Sequence, residues 1–192
     1  MPTWKPAESE LKIRFPKDEE RLYRDPQLAR HSKFTRVAWP ADLRVGRNVG
    51  GCFAEVVARA YFERLGYRVL MSAPEYPRGR GYFLLSYRQK RLKGHPAFKR
   101  MQRLFPGVDL HALAETVRDM KLKRCTSGGG GDPDLFVYHP ESNERFFVEV
   151  KYRDELICNQ LVCFPQLERY LCPVKVARLV PEYPQADRTT PL

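Results

Sequence analysis

The stretch Gly128–Gln160, GGGGDPDLFVYHPESNERFFVEVKYRDELICNQ, decides how this chain is read. Leu135–Tyr138 and Phe146–Val150 are apolar and aromatic, the composition of β-strands. Between them His139-Pro140-Glu141-Ser142-Asn143-Glu144 is turn chemistry. A symmetric hairpin centred on that loop sets Asp134 directly opposite Glu149, with Cβ atoms ~4.5–5.5 Å apart. Lys151 lies two residues beyond Glu149 and so shares its strand face. Like charges facing across a hairpin are destabilising, and a divalent cation between them reverses the sign. Two hard oxygen ligands suit Mg²⁺ or Mn²⁺, and the ammonium is placed to steer a water or steady a phosphate. A register slip of one residue would break the arrangement. The bland alternative is a strand-end Asp134 with Glu149 and Lys151 facing solvent.

Residues 128–180 resemble the PD-(D/E)xK nuclease superfamily, and within it most closely the VRR-NUC branch. The residues that carry the resemblance are Gly131-Asp132-Pro133-Asp134-Leu135, then Val148-Glu149-Val150-Lys151, then Asp154-Glu155-Leu156, and Gln160. The resemblance implies that Asp134 and Glu149 bind metal together with the backbone carbonyl of Val150. It also implies that Lys151 positions or activates water and that Gln160 supports the site. Two departures stand out: Ile157 where a small or polar helix-starting residue is usual, and Pro165, which must lie in the first helical turn or kink the helix carrying Gln160.

The superfamily core opens with a helix carrying one more acid. Gly51–Leu65, GCFAEVVARAYFERL, reads as a helix ended by Gly66, with Tyr67–Leu70 a strand after it. Phe53, Val56, Val57, Ala60, Tyr61 and Leu65 form its apolar stripe. Glu55 lies at the margin of that stripe and is the helix acid by resemblance, for catalysis and metal binding. The alternative is an exposed Glu55–Arg59 pair at i,i+4; Glu63 is the next acid in the helix.

The formal net charge is +11, and its distribution says more than its size. Residues 76–127 carry thirteen Lys or Arg and three acids, whereas residues 128–192 sum to −3. A basic block beside an acidic centre fits a polyanionic substrate held on one surface and cut at another. The residues expected on nucleic acid are Arg78, Arg80, Arg88, Lys90, Arg91, Lys93, Lys99, Arg100, Arg103, Lys121, Lys123 and Arg124. For the last three, the alternative is a cationic helix C-terminus with no ligand.

Elsewhere, residues 1–40 are rich in Pro and charge and read as an arm packing on the core or on a partner subunit, with Asp18–His31 a helix limited by Pro16 and Pro26. Tyr82–Tyr87 reads as a strand, and Pro96 and Pro106 bracket a short helix. Asp109 caps a helix through Leu122, with Leu110, Leu113, Ala114 and Val117 at helical spacing. A helix near Gln160–Leu171 and a strand Val174–Val180 complete the chain. The glycine run Gly128–Gly131 has neither the Lys-Ser/Thr of a Walker loop nor a following helix, and reads as a mobile loop at the mouth of the site. No apolar run reaches ~20 residues, and MPTWKPAESE lacks a signal peptide's apolar stretch. A cytoplasmic location without membrane contact is the expectation. The five cysteines show no Cys-x-x-Cys spacing, so reduced thiols are expected, not a zinc site.

The fold expected is α/β: a restriction-endonuclease-like mixed central sheet flanked by helices, with a basic inserted segment. Residues 1–192 form a single domain, with 1–45 an arm, 46–75 and 126–182 the core, and 76–125 the insertion. The function expected is a metal-dependent endonuclease acting on DNA, RNA being a further possible substrate. Its rivals are an inactive nucleic-acid-binding module and a dimeric junction-resolving nuclease, so a homodimer is a possible assembly. If the basic block grips duplex DNA, affinity falls with salt with a logarithmic slope of about −0.9 per neutralised phosphate. Replacing Arg88, Lys90, Arg91 and Lys93 together with Ala flattens that slope in a salt titration followed by anisotropy. An unchanged slope moves the DNA-binding surface elsewhere.

Overall fold

The computed structural model describes residues 4, 10–24, 53–72, 81–82, 96–125 and 131–183. The elements in chain order are β1 (Leu11–Pro16), α1 (Asp18–Arg24), α2 (Phe53–Arg64), β2 (Arg68–Ser72), β3 (Gly81–Tyr82), α3 (Pro96–Leu104), α4 (Leu110–Arg124), β4 (Leu135–Tyr138), β5 (Arg145–Lys151), α5 (Cys158–Tyr170) and β6 (Val174–Glu182). The strands form one six-stranded sheet ordered β1-β6-β5-β4-β2-β3. β4 runs antiparallel to β2 and β5, and the β1–β6, β5–β6 and β2–β3 pairs are parallel. This is a mixed-sheet α/β fold with helices flanking the sheet, as expected.

Alternation along the strands sends side chains to two cores. On one face Phe146, Val148 and Val150 of β5 and Leu135 and Val137 of β4 pack with Phe53, Val56 and Val57 of α2. On the other, Phe136 and Phe147 pack with Met101 of α3, Leu110 and Val117 of α4, and Phe164 and Leu167 of α5. From Pro96 on, the stretch expected as a basic insertion therefore forms one helical layer together with α5. Its amphipathic helices bury their apolar stripes on the sheet as any core helix does. Asp109 caps α4 as expected: its carboxylate accepts the amides of His111 and Ala112 at 2.9 and 3.0 Å.

Part of the N-terminal stretch joins the sheet. Leu11, Ile13 and Phe15 point inward and Lys12 and Arg14 outward, so β1 adds a strand in register with β6, Ile13 opposite Leu179. Pro16 is tolerated because β1 lies at the sheet edge. In α2 the stripe shifts toward Phe62, which is buried, while Leu65 is 54 % exposed. Gly66 ends that turn at φ 88°, the left-handed conformation a helix stop uses.

The cysteines depart from the reduced state expected of them. Cys125, which ends α4, and Cys158, which begins α5, form a disulfide, with Cα atoms 5.9 Å apart. The packing of the two helices brings their ends together, a proximity that sequence spacing does not encode. Cys163 and Cys172 are buried thiols, and their burial pushes both up to about 12. Cys52 lies outside the described residues. No helix among the described residues is long and apolar enough to cross a membrane.

Gly131 leads the chain into β4 at φ 100°, and a Cβ there would lie 2.7 Å from Cys163 Sγ and 3.1 Å from the Asn159 carbonyl. Gly66 has the same handedness with nothing nearer than 3.7 Å. Gly66→Ala therefore costs only the left-handed backbone penalty, about 1–2 kcal/mol. Gly131→Ala adds steric displacement of α5 and costs about 2 kcal/mol more. Urea unfolding midpoints of the two variants measure the difference.

Candidate active site

The hairpin register places the acids. Leu135 pairs with Val148 and Phe136 with Phe147, so the next pair outward is Asp134 with Glu149. The Val150 amide donates to Asp134 Oδ2 at 2.8 Å, and the Ser72 amide donates to the Asp134 carbonyl at 2.7 Å. Asp134 is thus tied to strands on both sides at the end of the sheet. Glu149 is only 2 % exposed. Its Oε1 accepts from Lys151 Nζ at 2.9 Å and from Gln160 Nε2. Its Oε2 is buried and no N–H donor reaches it, while the Asp134 and Glu149 carboxyls lie within hydrogen-bond reach of each other when one of them holds a proton. Lys151, also buried, reaches Asp154 Oδ2 at 2.9 Å.

Gln160 does two things with one amide. Its Oε1 accepts the Ile157 amide at 3.0 Å, closing the first turn of α5, and its Nε2 donates to Glu149. Ile157 has no side-chain oxygen to cap the helix, so this backward reach serves in its place. Pro165 sits in the helix interior, and α5 continues past it to Tyr170.

Glu55 occupies the first turn of α2 and lines one pocket of about 370 Å³ with Asp134, Glu149, Val150, Lys151 and Gln160. The alternative Glu55–Arg59 pair does not form. Arg59 is fully buried and instead donates to Glu63 Oε1 at 2.8 and 2.9 Å, and Glu63, two turns beyond Glu55, does not line the pocket. Ala54, Tyr152, Asp154 and Ile157 complete the lining. Asp154 belongs to the quoted motif, but its hold on Lys151 had no signal beyond an i,i+3 spacing.

Burial pushes Glu149 up to about 8, and the nearby Asp134 charge adds to the rise. Burial raises Glu55 to about 7, again with Asp134 adding. Asp134 rises to about 6 through burial, with the Val150 amide opposing. Lys151 is pulled down by burial, but Glu149 and Asp154 outweigh this and its pKa is raised.

The donor set consists of hard oxygens, which match Mg²⁺ or Mn²⁺. Among the described residues no three His, Cys, Asp or Glu side chains are gathered at ligand geometry. The pocket instead holds Glu55, Asp134 and Glu149 as neighbours, with Glu149 Oε2 reached by no N–H donor. An unsatisfied buried oxygen costs about 1–3 kcal/mol, and a cation there would remove that cost.

Of the basic residues, Lys99, Arg103, Lys123 and Arg124 are exposed and Arg100 is half-buried. Lys121 is corrected: it is 1 % exposed within the α4 packing, because it follows Val117 by one helical turn on the buried face. Arg78, Arg80, Arg88, Lys90, Arg91 and Lys93 lie outside the described residues, as does the glycine run before Gly131.

No family model matches the chain, and no curated protein matches it. Among solved structures it is similar to paFAN1, crystallised bound to DNA with a two-nucleotide 5′ flap and a gap. Identity is 22 % and the TM-score 0.34, covering 71 % of this chain and 21 % of that one. The chain thus spans about a fifth of that protein's length. A likeness at this level decides neither activity nor substrate.

Raised carboxyl pKa values mean that the folded chain keeps protons the unfolded chain has released. The three acids therefore cost nothing below their ordinary range near pH 4 and destabilise the metal-free protein progressively as pH rises to about 8. A melting-temperature series shows this fall, and Glu149→Gln flattens it. Mn²⁺ raises the melting temperature at about pH 8 and much less near pH 5, where protons compete. A Mn²⁺ shift that survives in both Glu149→Gln and Asp134→Asn places the cation elsewhere.

Proposed function

We propose that this chain is a Mg²⁺- or Mn²⁺-dependent nuclease that hydrolyses DNA phosphodiester bonds within the chain. The observation that carries the reading is the gathering of Glu55, Asp134 and Glu149 in one pocket, with Glu149 facing Asp134 across the hairpin and its Oε2 reached by no N–H donor. A buried like-charge pair lowers stability, and a cation site accounts for keeping it. Glu55, Asp134, Glu149 and the Val150 carbonyl would hold the metal, which when bound activates water and stabilises charge on the phosphate.

The chain's own groups do the positioning. Lys151, held between Glu149 and Asp154, presents a fixed ammonium to offset phosphate charge or orient a water. Gln160 fixes the Glu149 carboxylate, and the Val150 amide fixes Asp134. The exposed cations of α3 and α4 add positive potential for a polyanion.

The deciding experiment incubates labelled duplex, single-stranded, flap and four-way-junction DNAs, and an RNA of the same sequence, with Mg²⁺ or Mn²⁺. Cleavage of DNA is expected only with metal. Asp134→Asn and Lys151→Ala each reduce it ~100-fold or more while binding stays within about threefold, because neither group is part of the basic surface that attracts the backbone. Near-wild-type cutting by either variant would refute the assignment.

A further inference from the structure

Beside the acidic pocket lies a larger cleft, about 950 Å³, lined by Lys17, Glu20, Arg21, Tyr152, Arg153 and Tyr183 among others. It is built from the β1–α1 junction, α1, the chain leaving β5 and the end of β6. None of these residues belongs to the basic stretch 76–127. Three cations face one carboxylate here. Arg21 is exposed and makes no ion pair among the described residues. Arg153 is exposed and shares Glu20 Oε2 with the Tyr152 hydroxyl, at 3.2 and 3.0 Å.

The cations stand over aromatic faces. Lys17 Nζ lies 4.2 Å from the Tyr183 ring centre, and the Arg153 guanidinium lies 4.7 Å from that of Tyr152. Tyr183 is 64 % exposed, whereas Tyr152 is anchored edge-on against Phe15 and packs at a tilt on Phe53. A flat face with a long cationic side chain over it suits a ligand carrying both a planar ring and an anion. The ring takes the aromatic face and the cation moves to the anion.

Tyr152 lines this cleft and the acidic pocket alike, and it directly follows Lys151. Lys151 to Arg153 spans at most about 7 Å of chain. The cleft therefore lies within reach of a strand whose phosphate sits at the acidic pocket. We propose that the cleft holds a single-stranded segment of nucleic acid, with Lys17, Arg21 and Arg153 on its phosphates and Tyr152 and Tyr183 against its bases. The link to the cutting centre rests on the nuclease reading; the binding itself does not. Stacking selects a single strand over a duplex, whose base faces are hidden, and over an acidic peptide, which has none.

The test is anisotropy of labelled oligothymidylate and of a duplex of equal length, in EDTA so that no strand is cut. The Lys17→Ala/Arg21→Ala/Arg153→Ala variant is expected to bind oligothymidylate at least ~10-fold more weakly, with a salt slope shallower by about 2, near −0.7 for each phosphate no longer neutralised. Tyr183→Ala is expected to weaken it about 10-fold by removing a stacking face, and Tyr183→Phe to restore it, which separates stacking from misfolding. Duplex binding should change less than about twofold in all of them. Equal weakening on duplex and single strand, displacement by polyglutamate at equal charge, or unchanged oligothymidylate binding would each overturn the proposal. Cleft-dependent binding without cleavage on any substrate in Mn²⁺ would leave the cleft standing and remove the nuclease reading. Cleavage with cleft-independent binding would do the reverse.

Discussion

Everything at the candidate site follows from one unfavourable contact, the facing of Asp134 and Glu149 across an antiparallel hairpin. Two carboxylates in a poorly solvated place repel each other and resist ionisation. The surrounding groups act against that cost. The Val150 amide donates to one acid, while Lys151 and Gln160 donate to the other. Gly131 lets the chain ahead of Asp134 pass close to α5, the helix that carries Gln160. No N–H donor reaches Glu149 Oε2, and a proton shared with Asp134 or a cation is what remains to settle it. Replacing both acids with apolar residues would remove the repulsion and the site together, so stability and chemistry pull in opposite directions here.

The hairpin was readable because its two strands are short, apolar and joined by unambiguous turn residues. Period-two alternation then fixes which side chains share a face. That much placed Asp134, Glu149 and Lys151 on one end of the sheet. Asp109 as a cap and Gly66 as a stop were readable for similarly local reasons. The preference for Glu55 over Glu63 was local too, because Glu63 comes two turns later in the helix; what was not legible is that Arg59 is buried and pairs with Glu63 and not Glu55. Pro165 lies beyond the first turn, inside the helix. A proline inside a packed helix forgoes one backbone bond, but the burial of Phe164 and Leu167 on either side holds α5 together.

Charge was the least legible signal. A count of Lys and Arg along 76–127 says nothing about which ammonium faces water, and Lys121 faces the core. The same count overlooked the N-terminal stretch, whose Pro-rich composition hid the alternation of Leu11, Ile13 and Phe15. Once β1 pairs with β6, Lys17 and Arg21 are carried to the rim of the sheet beside Tyr152. Surface potential thus depends on strand pairing between residues far apart in the chain, information that composition does not hold.

The Cys125–Cys158 bridge closes a covalent ring of chain with a sequence separation of 33, and that ring contains β4, β5 and the residues Asp134, Glu149 and Lys151. Glu55 and Gln160 lie outside it. Restricting a loop of that length in the unfolded chain is worth about 3–4 kcal/mol on the chain-entropy view. The ring also has a topological effect. A protease that nicks the β4–β5 turn leaves both fragments tied to each other, so the hairpin stays tethered to α4 and α5. On a denaturing gel such a nicked chain migrates as one species until a reductant is added, and only then as two.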